Sequence, residues 1–254
     1  MELPHNRFKH ALAEGRRQIG FWSSLSSNYS VEVLAGAGFD WLLLDTEHSP
    51  NDLESLLSQL QAVAAYDTAA VVRVPVNDVV IIKRMLDIGA QSLLVPMVNT
   101  AEEAQAAVAA TRYPGQGVRG IASSTRANRF GRVTDYAKRA SEEICLLVQV
   151  ETREALANLD AIAAVEGLDG IFIGPGDLHA SLGYVGEQAN PAVLPVIDDA
   201  IRRIRSAGRA AGILTGVEQN ARRWLGLGAL FVAVGSDVSL LARGADALAA
   251  KFRL

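Results

Sequence analysis

Short apolar runs alternate with longer amphipathic stretches along the whole chain. Eight of these runs predict β-strands, at residues 18–23, 40–45, 69–74, 92–96, 144–150, 170–173, 211–214 and 229–234. The runs are continuously apolar, which is typical of strands buried on both faces of a parallel sheet. Eight β/α units in 254 residues match the size of a (β/α)8 TIM barrel. We therefore expect an α/β fold in which residues 1–254 form a single TIM-barrel domain.

A doubly wound open sheet is the competing architecture. Such a sheet usually carries fewer strands and often a glycine-rich turn that binds a dinucleotide after the first strand. Here the first predicted strand runs into Ser-Ser-Leu-Ser-Ser at residues 23–27, with no G-x-G-x-x-G pattern nearby. The barrel is therefore favoured over a dinucleotide-binding sheet.

Helix boundaries can also be predicted from capping residues. Ser49 followed by Pro50 predicts the start of the second helix, Asn77-Asp78 that of the third, and Thr152 that of the helix after the fifth strand. Residues 111–135 break the pattern as a long, irregular, arginine-rich segment. Because loops of this length are usually functional, we expect the segment to lie over the barrel mouth.

Composition excludes several classes of protein. The net charge is −4 and no basic run is present, so nucleic acid is not an expected partner. No uncharged apolar run approaches about 18 residues, and the polar N-terminal segment lacks the apolar core of a signal peptide. The single cysteine, Cys145, lies in an apolar run and predicts a buried, inert thiol. We expect a cytoplasmic protein that does not interact with membranes.

Charged residues are concentrated where the predicted strands end, which is the edge at which barrels carry their active sites. Strand 2 ends in Asp-Thr-Glu-His at 45–48, strand 3 in Arg73, strand 5 in Gln149 and Glu151, strand 6 in Gly-Pro-Gly-Asp at 174–177, and strand 8 in Gly-Ser-Asp at 235–237. The last group is consistent with a phosphate site or with a helix cap, and the cap is the preferred interpretation.

Glu151 and Asp177 end consecutive strands and predict a site for a hard divalent cation. Two carboxylates without a nearby thiol or histidine pair suit Mg²⁺ or Mn²⁺ better than structural Zn²⁺, although Co²⁺, Zn²⁺ and Ni²⁺ are compatible with them. The alternative is that both acids only favour the positive ends of helix dipoles.

Arg73 and His48 are candidates for catalysis. Arg73 lies in a β-branched run, so it is either a structural ion pair with a carboxylate or a cation for a developing enolate or a substrate carboxylate. His48 follows two acids and is either a general base or a loop residue exposed to solvent.

The lysines discriminate between mechanisms. A Schiff-base aldolase needs a buried lysine near the barrel mouth, whereas none of Lys9, Lys83, Lys138 and Lys251 ends a predicted strand. Carbanion chemistry in this chain would therefore require a metal as the electron sink.

Several motifs, in this order, resemble the HpcH/HpaI aldolase family, the class II pyruvate aldolases of aromatic and sugar-acid catabolism. They run from about residue 18 to the C-terminus and read DWLLLDTEHSPND, VVRVPVND, IKRMLDIGAQSLLVPMVNTAEEA, TRYPGQGVRG, LLVQVETREAL, VEGLDGIFIGPGDL and GALFVAVGSD.

The resemblance implies a role for individual residues. Glu151 and Asp177 would hold the metal, and His48 would be the general base, accompanied by Asp45. Arg73 would stabilise the transition state, and Asp87 would raise the basicity of the histidine. The implied substrate-binding positions are Arg73, Gln149, Gly174, Pro175, Gly176, Asp177 and Leu214.

The resemblance further implies reversible cleavage of 4-hydroxy-2-oxo acids to an aldehyde and pyruvate, with hydroxypyruvate as a related substrate. It implies a homohexamer, a dimer of trimers, in which the last helix is exchanged between subunits and a neighbouring chain helps to close each site. Two alternatives remain: an acyl-CoA lyase of the malyl or citramalyl type, and a non-catalytic barrel that binds oxo acids.

Overall fold

Parallel strands close into a barrel in the computed structural model, which describes residues 1–187 and 190–253. Each strand pairs with its neighbours in the sequence, and β8 pairs with β1 to close the sheet. The TIM-barrel prediction is therefore confirmed. The strands are β1 Gln18–Ser23, β2 Trp41–Asp45, β3 Ala69–Arg73, β4 Ser92–Val95, β5 Cys145–Val150, β6 Gly170–Ile173, β7 Ala210–Leu214 and β8 Phe231–Ser236.

Helices follow the strands and surround the barrel. A short 3₁₀ helix at Pro191–Val193 leads directly into the helix Leu194–Ser206. The α-helices are α1 Arg7–Ala13, α2 Asn28–Ala35, α3 Leu53–Val63, α4 Val79–Asp87, α5 Ala101–Thr111, α6 Tyr136–Glu143, α7 Arg153–Ala157, α8 Leu159–Ala163, α9 Pro175–Ser181, α10 Leu194–Ser206, α11 Glu218–Gly226 and α12 Asp237–Ala250.

The predicted strands agree with the observed ones to within two residues at each end. The largest difference is β8, which continues to Ser236 where the prediction ended at 234. The cause is its pairing with β1, which passes a bulge and joins Trp22 to Ser236. Gly235 and Ser236 therefore belong to the strand, and Asp237 begins α12.

Helix α3 begins later than the sequence predicted. Ser49 is not its N-cap, because the Ser49 hydroxyl donates to the carbonyl of Asp45 instead. Asp52 caps the helix and forms a capping box with Ser55. The predicted caps of α4 and α7 are confirmed at Asp78 and Thr152.

Aromatic side chains fill the inside of the barrel. Trp22, Trp41, Phe172 and Phe231 lie in contact there, with ring centroids 5.6–6.0 Å apart. Phe8 of α1 closes the end at which the strands begin, 5.6 Å from the Trp41 ring centroid. The wide rings need small neighbours: a Cβ at Gly20 would lie 2.1 Å from the Trp41 ring, and Gly212 is equally close to Phe231.

The arginine-rich segment packs at the end of the barrel opposite to the one predicted. Arg126 donates to the carbonyls of Ile88 and Leu60, which lie at the C-terminal ends of α4 and α3. These helices run antiparallel to the strands, so their C-terminal ends meet the face at which the strands begin. The prediction that residues 111–135 cover this chain's own mouth is therefore wrong.

Helix α12 packs little of its surface against the barrel of its own chain. Every described residue from Val238 to Arg253 is exposed, although the helix carries several large apolar side chains. Leu240, Leu241 and Leu248 are 65%, 61% and 59% exposed, respectively. The helix thus leaves the mouth with an apolar surface that this chain does not cover.

The composition led to predictions about the burial of Cys145 and about membrane-spanning segments. Cys145 is fully buried inside the barrel as predicted, and burial raises the pKa of its thiol well above the usual value. Within the described residues, no helix is both long and apolar enough to cross a membrane.

Candidate active site

Arg73 and Asp45 form a buried, two-point ion pair where β3 and β2 end. Nε of Arg73 lies 2.9 Å from Oδ1 of Asp45, and Nη2 lies 2.7 Å from Oδ2. The two residues are paired in register on neighbouring strands. Burial favours the protonated acid, but the hydrogen bonds and charge of Arg73 outweigh it and lower the pKa of Asp45. Arg73 therefore forms the structural ion pair that was one of its two interpretations from the sequence.

Glu47 is a further partner of Arg73 that the sequence did not single out. Nη1 of Arg73 lies 2.9 Å from Oε2 of Glu47. Burial raises the pKa of Glu47; Arg73 and His48 oppose the shift, while the charges of Asp45 and Asp177 add to it. The D-T-E-H order was the available signal, since it places two acids beside the same strand end.

The indole of Trp22 forms the floor beneath this ion pair. Cζ of Arg73 lies 4.8 Å from the Trp22 ring centroid, and the indole N–H lies 3.3 Å from Oδ2 of Asp45. Stacking on Trp22, two hydrogen bonds to Asp45 and the ion pair with Glu47 hold the guanidinium in one orientation. The remaining N–H groups of Arg73 are therefore presented in a fixed direction.

Glu151 follows β5 and is a buried carboxylate with two donors. Its Oε1 accepts from the backbone N–H of Met97 at 2.9 Å, and its Oε2 accepts from Nε2 of Gln149 at 2.5 Å. Burial raises the pKa of Glu151 to about 7; the two hydrogen bonds oppose the shift, and the charges of Asp177 and Glu47 add to it. Glu151 is thus poised between the neutral and charged forms.

Gly174 brings the next strand end close to Glu151. A Cβ at position 174 would lie 2.2 Å from Oε2 of Glu151 and 2.9 Å from Nε2 of Gln149. Pro175 then starts α9, whose first turn carries the exposed Asp177. The tight turn leaves no room for a side chain at position 174 beside Glu151 and Gln149.

The balance of charge at the mouth favours a bound cation. Glu47, Glu151 and Asp177 influence one another electrostatically, while the nearby Arg73 is already neutralised by Asp45. Carboxylates that repel one another are stabilised by a divalent ion with oxygen ligands. The donor set, and the orientation of Glu151 by Gln149, fit such an ion.

His48 lies at the rim with its side chain 67% exposed. Its Nε2 lies 4.0 Å from Oε1 of Glu47. The Asp45 carboxylate, which was expected to accompany the imidazole, accepts the backbone N–H of His48 at 3.4 Å instead. The carboxylate beside the ring is therefore that of Glu47, because Asp45 is committed to Arg73.

Asp87 is not part of the mouth of its own chain. It ends α4 at the opposite end of the barrel, where its carboxylate accepts from Arg119 at 2.8 Å. Arg119 is fully buried and stacks 4.6 Å from the Tyr113 ring centroid. The structure therefore does not bring Asp87 and His48 together within one chain.

The other predicted substrate positions lie around the same mouth. Gln149 is buried, and its Oε1 has no hydrogen-bond partner among the described residues. Leu214 ends β7 and is half-buried against the aromatic barrel interior. Gly176 is exposed, with open space where a Cβ would lie. An orphaned amide oxygen and open space beside α9 are features of a site that accepts a small polar molecule.

Asp237 organises the loop after β1. Its carboxylate accepts from the Ser23 hydroxyl at 3.0 Å and from the backbone N–H groups of Ser24 and Leu25 at 2.9–3.1 Å. These donors are thus already satisfied by a carboxylate of the chain, which leaves them unavailable to a phosphate. The helix-cap interpretation is confirmed, because Ser236 caps α12 through the N–H of Ser239.

The positions of His179 and of the lysines bear on the choice between a general base at the mouth and a Schiff base. His179 is buried in α9, with Nδ1 2.6 Å from the carbonyl of Pro175, and is not exposed at the mouth. Lys9 lies near the start of β5, where its Nζ is 2.7 Å from the carbonyl of Ile144. The other lysines lie on or after helices, at Lys83, Lys138 and Lys251. None of these four lysines, all of which the structure describes, is therefore placed for a Schiff base at the mouth.

Comparison with known proteins gives the family. The model of the HpcH/HpaI aldolase/citrate lyase family matches residues 18–244. A hydroxypyruvate/pyruvate aldolase of Deinococcus radiodurans is 61% identical over 249 residues, covering 98% of this chain and 90% of that protein. A 4-hydroxy-2-oxo-heptane-1,7-dioate aldolase of Klebsiella pneumoniae is 59% identical, covering 98% of this chain and 94% of that protein.

A solved structure gives the same answer. A protein of this family from Burkholderia cenocepacia superposes with a TM-score of 0.93 at 38% identity, covering 98% of this chain and 100% of that one. Sequence and fold agree, and the chain belongs to the HpcH/HpaI aldolase/citrate lyase family.

Proposed function

We propose that the protein is a class II aldolase that reversibly cleaves 4-hydroxy-2-oxo acids into pyruvate and an aldehyde. The observation that carries the proposal is the buried carboxylate of Glu151, held by Gln149 and the backbone of Met97 at the barrel mouth, where the charges of Glu47 and Asp177 act on it. Arg73 is fixed at the same mouth by Asp45 and Glu47. The absence of a lysine among the described residues of the mouth favours metal-dependent chemistry over a Schiff base. Relatives about three-fifths identical act as aldolases on pyruvate, hydroxypyruvate or a 4-hydroxy-2-oxo acid.

Glu151 and Asp177 are the proposed ligands of a divalent cation, Mg²⁺ or Mn²⁺ by preference. When bound, the cation supplies a Lewis acid that draws electron density from the 2-oxo group of the substrate. Gln149 keeps one oxygen of Glu151 in place through its amide N–H. Its unpartnered Oε1 is available to a polar group of the oxo acid.

Arg73 is the proposed partner of the 2-oxo oxygen. Two of its N–H groups donate to Asp45 and Nη1 is ion-paired with Glu47, so that further N–H groups are available to an oxygen that gains negative charge as the C3–C4 bond breaks. Because the guanidinium is fixed before the substrate arrives, little reorganisation is needed during the reaction. The substrate carboxylate would lie along Gly174 and Gly176 at the start of α9, where backbone N–H groups and the helix dipole favour an anion.

His48 is the proposed general base. In the cleavage direction it accepts the proton of the 4-hydroxyl group, the C3–C4 bond breaks, and the aldehyde leaves. Protonation of the remaining three-carbon fragment at C3 gives pyruvate. Glu47 lies beside the imidazole, with its Oε1 4.0 Å from Nε2. Leu214 at the rim would contact the variable part of the substrate.

Asp87 is proposed to act on a neighbouring subunit. It lies at the far end of its own barrel, so it can reach a His48 only from another chain. The exposed apolar face of α12 supports a homohexamer in which this helix is exchanged between subunits. A groove lined by Ile19, Ala221, Leu225 and Val234 is open beside β8 and offers a place for a partner's helix.

Pyruvate release from a panel of 4-hydroxy-2-oxo acids tests the proposed function. The metal-stripped protein is assayed with and without added Mn²⁺ or Mg²⁺, and pyruvate is measured by coupled reduction. Release only in the presence of metal is expected. Binding of oxo acids without turnover would support the non-catalytic alternative, and cleavage confined to acyl-CoA esters would support the acyl-CoA lyase. Full activity after complete removal of metal would contradict the roles of Glu151 and Asp177.

A further inference from the structure

Two histidines and a glutamate meet at the end of the barrel opposite to the mouth. The rings of His5 and His10 stack with centroids 4.4 Å apart. Nε2 of His10 lies 3.1 Å from both carboxylate oxygens of Glu143, and Nδ1 of His5 lies 3.5 Å from Oε1. Within residues 1–187 and 190–253, this is the one group of three such side chains whose ligand atoms all lie within 4.8 Å of one another.

The spacing of these atoms suits a tetrahedral metal ion. Bonds of about 2.0–2.1 Å at tetrahedral angles place neighbouring ligand atoms about 3.3 Å apart. The separations between Glu143 and the two histidines are 3.1 and 3.5 Å. Small movements of the imidazoles would therefore bring all three ligands around one ion.

The scaffold of the cluster is already ordered. Asn6, between the N-terminal segment and α1, is buried and donates through Nδ2 to Ser92 Oγ at 2.9 Å and to the carbonyl of Glu143 at 2.9 Å. Its backbone N–H lies 2.6 Å from Oε2 of Glu143. The segment that carries His5 is thus fixed to α6, which ends in Glu143.

The carboxylate is kept in its charged form. Burial acts to raise the pKa of Glu143, but the Asn6 N–H and the two histidines outweigh it and lower the pKa. The Glu143 side chain is only 14% exposed, whereas those of His5 and His10 are 60% and 41% exposed. An ion would therefore enter from the solvent side and keep a position open to water.

We propose that His5, His10 and Glu143 form a second metal site, selective for Zn²⁺-like cations and separate from the mouth. Imidazole ligands favour Zn²⁺, Co²⁺, Ni²⁺ and Cu²⁺, whereas Mg²⁺ prefers oxygen ligands alone. The bound ion ties the N-terminal segment to α6, directly after the arginine-rich segment. The site is structural, and it does not depend on the proposed aldolase activity.

The test measures Zn²⁺ binding to a chain without a histidine tag, because a tag would add ligands close to His5. The double variant Glu151→Gln/Asp177→Asn serves as background, so that ions at the mouth do not contribute. Calorimetry is expected to show one Zn²⁺ per chain and no Mg²⁺ binding. Co²⁺ is expected to give the visible absorption bands of a tetrahedral complex. Zn²⁺ is also expected to raise the melting temperature, since it binds the folded state.

Variants of the three ligands identify the site. His10→Ala and Glu143→Gln, each in the double-variant background, are expected to weaken Zn²⁺ binding at least tenfold, about the smallest loss seen for groups that support a ligand. Glu142→Gln is the matched control, because Glu142 precedes Glu143 in α6 but pairs with Arg139. It is expected to bind Zn²⁺ like the background protein.

Folding of the variants is checked by circular dichroism and melting without metal. The exposed His5→Ala provides a further test if His10→Ala does not fold. Absence of Zn²⁺ binding in the background protein would overturn the proposal and leave the cluster as an ordinary ion pair. Equal Zn²⁺ affinity in the ligand variants and in Glu142→Gln would also overturn it, since the ion would then be bound elsewhere.

Discussion

Arg73 connects three side chains at the mouth. It is ion-paired with Asp45 and Glu47 and stacked on Trp22, and it lies only 6% exposed. The sequence left two interpretations open, a structural ion pair and a catalytic cation. The structure shows that they are compatible, because the ion pair fixes the guanidinium while leaving N–H groups for a ligand.

Removal of Arg73 should reduce turnover with little loss of metal. Arg73→Ala is expected to lower kcat for pyruvate release by about 10²–10³-fold, the usual loss for a donor to a developing oxyanion. Arg73→Lys keeps a charge but not the two-point contact, and should recover only part of the rate. Arg222→Ala, an exposed arginine paired with Glu218, is the control. Near-normal turnover of folded Arg73→Ala would contradict the proposed role.

Glu151 should couple metal binding to a proton. Its pKa in the metal-free chain is raised from 4.5 to about 7, so near pH 6 the folded protein holds a proton that a metal must displace. Binding near pH 6 is expected to release close to one proton, and binding near pH 8 close to none. Calorimetry in buffers of different ionisation enthalpy measures this number, and equal release at both pH values would contradict it.

The carboxyl group of Glu151 should also make the unfolding free energy of the metal-free protein depend on pH. Because the folded-state pKa of Glu151 is raised, its contribution is fully present below pH 4.5 and is lost as the pH rises through about 7. Glu151→Gln removes this titration. The difference in unfolding free energy between the two proteins should therefore change between these pH values.

At the scale of the elements, the turn between β6 and α9 shapes the proposed metal site. The turn has no side chain at Gly174, and Pro175 sets the first helical residue without needing an N–H donor. This arrangement lets Glu151 lie against the backbone of the turn while Asp177 projects from the first helical turn. The geometry depends on the small size of one residue.

Gly174→Ala should therefore reduce metal affinity and activity together. The new Cβ would lie 2.2 Å from Oε2 of Glu151, so the carboxylate or the turn must move. Gly226→Ala is the matched control, since a Cβ there meets no atom within 4 Å and the residue ends α11, far from the acids. Metal titration and pyruvate release measure both variants. Unchanged metal affinity in Gly174→Ala would contradict the packing described here.

Strands were easier to predict than the segments between them. A strand buried on both faces must be continuously apolar, so its limits are visible in the sequence. The start of α3 was missed because Ser49, Asn51 and Asp52 are all acceptable caps, and the carbonyl of Asp45 attracts two of them. The position of residues 111–135 was missed because Arg126 is anchored by backbone carbonyls, which have no sequence signature. The other anchor, Arg119, is paired with Asp87, a residue that the resemblance assigned to a histidine of the active site.

At the scale of the whole molecule, the predicted catalytic groups lie at both ends of the barrel. Glu151, Arg73 and His48 are at the mouth, whereas Asp87 is at the opposite end beside the arginine-rich segment. A complete site with Asp87 would therefore require two chains. The uncovered apolar face of α12 would provide a surface for the proposed assembly.

Mixing two inactive variants tests this arrangement. Asp87→Ala and Glu151→Gln should each have low activity as pure proteins. After dissociation and reassembly at equal amounts, about one quarter of the sites would combine an intact Glu151 with an intact Asp87 of a neighbour. Recovery of activity to roughly that share is expected, and mixing without reassembly is the control. No recovery would show that Asp87 does not act between chains.

The sequence by itself determined the barrel, the strand limits, the metal-dependent class of chemistry and the identity of most candidate groups. It could do so because the apolar runs of buried strands, their spacing and the positions of the few lysines can all be identified along the sequence. Tertiary structure decided which groups face one another. It paired Arg73 with Asp45 and Glu47 and brought Glu47 to His48. It also placed Asp87 at the far end and united His5, His10 and Glu143. These relations depend on the direction of each side chain and on helices that run antiparallel to the strands. Local sequence patterns predict neither of these.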